Sequence, residues 1–183
     1  IDTRSGTSNI TIGSSNASQI TLKSGATLTN FPANKPNFFA NKTNNQTVPS
    51  GTSTKVEFNT EEFDSDSAFA SNKFTVPSGE GGKYFFYSTC YFTGSLDQSY
   101  FIVEFFKNGS VIARSINRFS GTPDLSQSLS IITDLSVGDY MEVYVKQNSG
   151  SGQTLSGEAA ERKTYFVGYK LTWARSKYQQ SRL

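Results

Sequence analysis

The densest group of potentially reactive side chains is the acidic run Glu57…Glu61-Glu62-Phe63-Asp64-Ser65-Asp66. Clustered carboxylate and backbone oxygens suit a hard cation, which makes Glu61, Glu62, Asp64 and Asp66 candidate calcium ligands. Their spacing matches no defined calcium loop, and a solvated acidic loop is the plain alternative. The same run could offer two carboxylates for glycoside cleavage. Nothing in the sequence gives two of them different environments, as an acid and its partner require. The one thiol, Cys90, lies within the aromatic run Tyr84–Phe92 and reads as a small buried hydrophobe. A nucleophilic role would need a partner base, and the chain has no histidine. That removes His-based triads, His-ligated metals and the usual near-neutral proton shuttle. A single cysteine also excludes an intrachain disulfide and a cysteine zinc site. No catalytic residue is assigned, and the chain reads as a non-enzyme.

The elements that would position these groups are strands. A length of 183 residues suggests one domain with an appendage. Apolar residues are only 35%, but 15 Phe, 9 Tyr and one Trp supply the bulk for a core. Lys and Arg exceed Asp and Glu by 17 to 15, so no nucleic-acid or membrane-surface footprint is implied. No apolar run approaches the roughly 18 residues of a membrane span. No signal peptide is evident, and a start at Ile1 suggests a processed or truncated chain. Strand signals fall near 37–42, 53–60, 67–70, 72–76, 82–93, 99–107, 110–119, 126–134, 139–147 and 163–173. Gly and Pro punctuate them at Pro77–Gly82, Gly121-Thr-Pro123, Val137-Gly138-Asp139 and Asn148–Gly157. Asn108-Gly109 between two apolar runs predicts a two-residue hairpin. Glu158–Lys163 could form one helical turn at most.

Residues 1–35 differ. Asn9-Ile-Thr-Ile12, Gln19-Ile-Thr-Leu22 and Ala26-Thr-Leu28 alternate apolar residues with Thr, among Ser, Asn and Gly. Such units are too short to bury a core in one chain. They suggest a β-rich shaft of several wrapped chains, with a Ser/Thr/Asn linker as the alternative. Pro32 and Pro36 bracket a hinge, a head spans 36–174, and 175–183 form a tail carrying Arg175, Lys177 and Arg182.

Two strands look apolar on both sides. In Tyr84–Phe92, one side carries Tyr84, Phe86, Ser88, Cys90 and Phe92, and the other Phe85, Tyr87, Thr89 and Tyr91. In Tyr100–Phe106, Phe101, Val103 and Phe105 face one way, and Tyr100, Ile102 and Phe106 the other. A sheet with one wet face should alternate apolar with polar. The second side therefore points to a subunit interface, with local cover by a loop as the alternative.

Phe74-Thr-Val-Pro77, Gly82-Lys-Tyr-Phe-Phe86, Leu135-x-x-Gly138-Asp139-x-Met141-x-Val143 and Phe166-x-Gly168-Tyr169-x-Leu171 together resemble the globular head of complement C1q, within the tumour-necrosis-factor (TNF) superfamily. The resemblance spans Pro36 to Trp173. It implies an all-β fold, a ten-stranded TNF-like jelly-roll sandwich that forms homotrimers around aromatic strands. Phe85, Tyr87, Tyr91, Tyr100, Ile102, Phe106 and Tyr169 become the trimer-interface candidates. Gly168 would let neighbouring aromatics pack closely, and Gly138-Asp139 would make the tight turn into the penultimate strand. Some heads of this family bind calcium near the trimer apex, which bears on the acidic run. No collagen-type Gly-X-Y repeat is present, and the N-terminal segment instead resembles viral and bacteriophage fibre shafts.

The expected function is a virion fibre or spike head that attaches to a host-surface glycan or protein receptor and joins other virion proteins through its shaft. A structural decoration protein and a secreted complement- or cytokine-like ligand are the alternatives. The recognition surface is placed on loops 94–99, 117–127 and 147–161. Sequons at Asn9, Asn16, Asn41, Asn45 and Asn108 decide nothing by themselves.

Overall fold

The computed structural model describes residues 35–94, 99–118, 121 and 124–171. The shaft and tail segments therefore lie almost wholly outside the described residues. Among the described residues, thirteen strands run in chain order: β1 (Asn37–Asn41), β2 (Gln46–Val48), β3 (Thr54–Lys55), β4 (Thr60–Asp64), β5 (Phe69–Ala70), β6 (Lys73–Thr75), β7 (Gly82–Thr93), β8 (Tyr100–Lys107), β9 (Ser110–Arg118), β10 (Leu125–Leu135), β11 (Tyr140–Gln147), β12 (Gln153–Leu155) and β13 (Tyr165–Lys170). Among the described residues there is no helix.

The strands form two antiparallel sheets. In the first, β7 pairs with β10 along one edge, while β13 and then β12 share its other edge; β1 and β4 follow β13, and β2 follows β12. The second runs β5–β6–β11–β8–β9, with β3 also on β11. Period-two alternation delivers the core. Phe38 and Ala40, Tyr84, Phe86, Cys90 and Phe92, and Phe166 come from the first sheet; Phe74, Phe101, Val103, Phe105, Met141, Val143 and Val145 come from the second. Phe38 is the hub, with ring centroids 4.9 Å from Phe69, 5.1 Å from Phe74 and 4.9 Å from Phe166. Gly168 makes this packing possible. A Cβ there would meet Phe86 and Phe38 ring carbons at 2.5–2.7 Å.

The strand expected at 53–60 divides. Lys55 belongs to the second sheet and Thr60 to the first, because the chain crosses between layers with Val56 and Phe58 buried on the way. The terminal strand is shorter than expected, and the segment expected as the loop 147–161 contains β12. Glu158 to Arg162 makes the single turn that the sequence allowed, closed by the Arg162 N–H on the Glu158 carbonyl at 3.0 Å.

The Asn108-Gly109 hairpin forms, with both residues at positive φ (51° and 79°) and Lys107 opposite Ser110. Its Asn108 side chain ties a second turn into place. The amide donates to Asp139 Oδ1 at 2.7 Å, and Asn108 Oδ1 accepts from the Tyr140 N–H at 2.9 Å. Asp139 also accepts from the Ser136 N–H at 2.8 Å and pairs with Lys107 at 3.0 Å. The Asn108 bond, then the Ser136 bond and Lys107, push the Asp139 carboxyl down to about 2.

Both ends of the described head leave from this same end of the sandwich. The Lys170 N–H donates to the Pro36 carbonyl at 3.0 Å, and the Leu171 N–H to the Lys83 carbonyl at 2.8 Å. The ends of β7, β9 and β11 and the starts of β8 and β10 lie at the opposite, distal end, as strand direction and register require.

Candidate functional site

The outer surface of the first sheet is built from the residues that alternate with its core. Register places them in rows: Ile132–Phe85–Tyr169–Asn37, then Ser130–Tyr87–Val167–Phe39–Phe63, then Ser128–Thr89–Tyr165–Asn41. Strands lie about 4.8 Å apart, so rings in adjacent strands touch. Centroids are 5.3 Å apart for Phe85 and Tyr169, 5.7 Å for Tyr87 and Tyr165, and 5.1 Å for Phe39 and Tyr165. These rings are half-buried within one chain, while Ile132 is 60% and Phe63 49% exposed. Hydroxyls settle at the margin: Tyr87 donates to Ser128 Oγ at 2.8 Å and Tyr91 to Asp124 at 2.9 Å. The Asp124 bond raises the Tyr91 hydroxyl above its usual range, and burial beside Tyr87 raises Tyr165. Charges stay at the rim, with Arg162 over Phe39 and paired to Glu62, Lys163 over Tyr91, and Lys83 paired to Asp134. The result is a broad aromatic surface with an uncharged centre.

The outer surface of the second sheet differs. Its rows are Glu142–Phe106–Val111, Tyr144–Glu104–Arg114 and Lys146–Ile102–Ile116, with Tyr100 opposite Arg118. Glu104, only 4% exposed, receives Arg114 at 2.8 Å and Ser53 Oγ at 3.2 Å. Glu142 pairs with Lys55 at 2.7 Å. Phe106 packs on Tyr144 at 4.2 Å.

The seven interface candidates are therefore not brought together. Phe85, Tyr87, Tyr91 and Tyr169 share the first sheet's outer surface; Tyr100, Ile102 and Phe106 lie on the opposite side of the sandwich. The expectation that Tyr100–Phe106 is apolar on both sides is corrected by Glu104, which interrupts it with an ion pair. Local cover, from Ser53 and Lys55, supplies part of the satisfaction there. Phe39, Tyr165, Val167 and Ile132 belong to the aromatic surface, yet sequence reasoning did not single them out. Their alternation within short strands was the available signal.

The acidic run does not converge. Both Asp64 oxygens accept backbone N–H groups, of Ala68 and Phe69, at 3.0 and 2.8 Å. Asp66 pairs with Lys35 and Glu62 with Arg162, while Glu61 is exposed. Among the described residues, no three His, Cys, Asp or Glu side chains are placed to hold a metal ion. Cys90 is buried in the core as expected, and burial pushes its thiol up to about 12. Lys42, buried with its ammonium on the Glu57 carbonyl at 2.9 Å, was not foreseen; desolvation lowers its pKa. The sequons separate as well. Asn41 is buried and Asn108 holds the Asp139 turn, whereas Asn45 is exposed. Of the three loops, 147–161 is laced down by Gln147, which donates to the Val48 and Ser151 carbonyls, and by Gln153 on Ser149 and Ser151.

This two-sheet jelly roll with an aromatic outer face defines a TNF-like head. A family model of the C1q domain matches residues 37–171, and the chain belongs to that family. Domains of this family are recognition modules. Among solved structures, the chain is similar to the globular domain of zebrafish complement 1qA (TM-score 0.53, 16% identity, covering 75% of this chain and 98% of that one). It is also similar to murine APRIL at pH 5.0 (TM-score 0.54, 17% identity, 74% and 98%) and at pH 8.0 (TM-score 0.53, 16% identity, 74% and 98%). No curated protein matches it by sequence. Among the described residues, no helix is long and apolar enough to cross a membrane.

Proposed function

We propose that the chain is a non-enzymatic recognition head that works as a homotrimer, burying the first sheet's aromatic surface between subunits and presenting its distal end to a host-surface glycan or protein. The observation that carries this is the uncharged row Tyr87–Val167–Phe39–Phe63, flanked by Phe85 and Tyr169. A soluble single chain rarely leaves so large an apolar surface open. Assembly around that surface leaves free the end opposite to residues 35 and 171, where β7, β9 and β11 end and β8 and β10 begin. A head held from its chain ends would offer that end outward. The apolar–Thr motifs of residues 9–28 favour mounting on a virion fibre over secretion as a complement- or cytokine-like ligand.

Light scattering across micromolar dilution tests the assembly: a mass of three chains is expected, and a monomer mass overturns it. Binding of labelled head to candidate host cells, and competition by that head against adsorption of the particle, test attachment. A head that coats cells without affecting adsorption would overturn the fibre reading and favour the secreted ligand.

A further inference from the structure

The second sheet's outer surface lies on the far side of the sandwich from the proposed interface, so assembly leaves it open. Most of its charges are matched: Lys55 with Glu142, and Arg114 with Glu104. Toward the distal end the matching stops. Arg118 stands opposite Tyr100, and Lys146 shares a row with Ile102 and Ile116. Among the described residues, neither Arg118 nor Lys146 has an ion-pair or hydrogen-bond partner. Glu104, on the same surface, is almost fully buried and already holds Arg114 and Ser53. Among the described residues, two unpaired cations thus flank an aromatic ring and an isoleucine that is 51% exposed.

We infer that this patch, Tyr100, Arg118, Lys146 and Ile116, is a site for an acidic polysaccharide bearing carboxylate or sulfate groups. The inference rests on the recognition-head reading and names its ligand class. Arg118 offers a planar fork that fits a carboxylate or sulfate with two parallel hydrogen bonds, and Lys146 adds a point charge across the sheet. Tyr100 and Ile116 supply the apolar contact for a sugar ring between them. The patch is only a few side chains wide, bounded by the Glu104–Arg114 pair. That is too small for a stable protein interface, which needs roughly 800 Å² per partner. A polymer with a repeated acidic unit suits it, because several heads in one assembly can engage one chain and multiply weak contacts.

The test is chromatography of the purified head on heparin (sulfated), polygalacturonate (carboxylated) and neutral dextran. Retention at about 50 mM salt is expected on one or both acidic matrices, with release as salt shortens the reach of the charges. The Arg118→Ala/Lys146→Ala variant should lose roughly tenfold or more in affinity. Tyr100→Ala should weaken retention several-fold without changing its salt dependence. Lys35→Ala/Lys83→Ala, with the same charge change at the other end, should bind like the parent. Failure on both acidic matrices, equal retention on dextran, or equal weakening by the Lys35/Lys83 variant would overturn the site. So would retention on immobilised polyglutamate alone, which would assign the patch to an acidic protein. Comparing heparin with polygalacturonate tells which acidic group is read. Mass measured on the same samples separates the two readings: a retained monomer sinks only the trimer, and an unretained trimer sinks only this site.

Discussion

The two outer surfaces of this sandwich are made from the same kinds of strand, yet they end as opposites. On the first sheet, the middle row runs serine, tyrosine, valine, phenylalanine, phenylalanine, and charge is confined to the rim. On the second, the middle row runs tyrosine, glutamate, arginine, and Glu104 is answered within the chain. Both surfaces carry aromatics, so aromatic content does not separate them. What separates them is a buried carboxylate near the centre, which commits the second surface to polar partners and leaves the first as one continuous apolar area. An ion pair at the centre of a subunit contact would have to be desolvated at a cost its attraction barely recovers. In the proposed trimer, that difference sets which side another copy would bury.

The comparison breaks if charging the first surface leaves assembly intact. Tyr87→Asp or Phe85→Asp should each cost several kcal/mol per chain, as an unpaired charge in an apolar contact does. Sedimentation should show monomers where the parent gives trimers. Arg114→Glu on the second surface should leave the mass unchanged. If both substitutions dissociate the protein, the assignment of one surface to assembly is wrong.

A smaller effect is expected beneath the aromatic surface. Gly168→Ala would drive a methyl against Phe86 and Phe38, an overpacking that costs typically 1–3 kcal/mol. Urea unfolding should show the lowered midpoint, and an unchanged midpoint would mean that the two rings shift freely. Next, Arg114→Ala leaves Glu104 with Ser53 alone, for a loss of about 1 kcal/mol, because Arg114 itself is half exposed. Assembly should not change.

The smallest effect concerns acid. Asp139 titrates near 2 in the folded chain against an ordinary 3.8, so its carboxylate favours the folded state fully above 3.8 and loses that contribution as pH falls through 2. Asp139→Asn should be less stable than the parent at neutral pH, with the gap closing between pH 4 and 2. A gap that persists at pH 2 would place the effect in packing rather than in charge. This turn sits away from both outer surfaces, and the variant should leave assembly and polysaccharide retention as they are.

Much of the scaffold was legible because the informative strands are long and their signals local. Tyr84–Phe92 alternates over many residues, and Asn108-Gly109 dictates its own turn through two positive φ angles. What escaped was non-local. β2 and β12 have three residues each and join across more than a hundred positions, as Gln153 opposite Val48 shows. Nothing in Gln-Thr-Val or Gln-Thr-Leu announces a partner that distant. The faces of β8 were misjudged for a related reason. Alternation tells which residues share a side, but only the neighbouring strand shows that Glu104 finds Arg114 there. Lys42 reads as a surface residue until the chain folds the Glu57 carbonyl over it.

The hydrogen bond from Lys170 to Pro36 has a further consequence for engineering. Because the head opens and closes at one point, a short linker between those positions would rejoin the backbone with little distortion, and new termini could be cut at the exposed Gly51–Thr52 turn. Such a circular permutant would reverse the polarity of display, offering a fused cargo where the parent offers its loops.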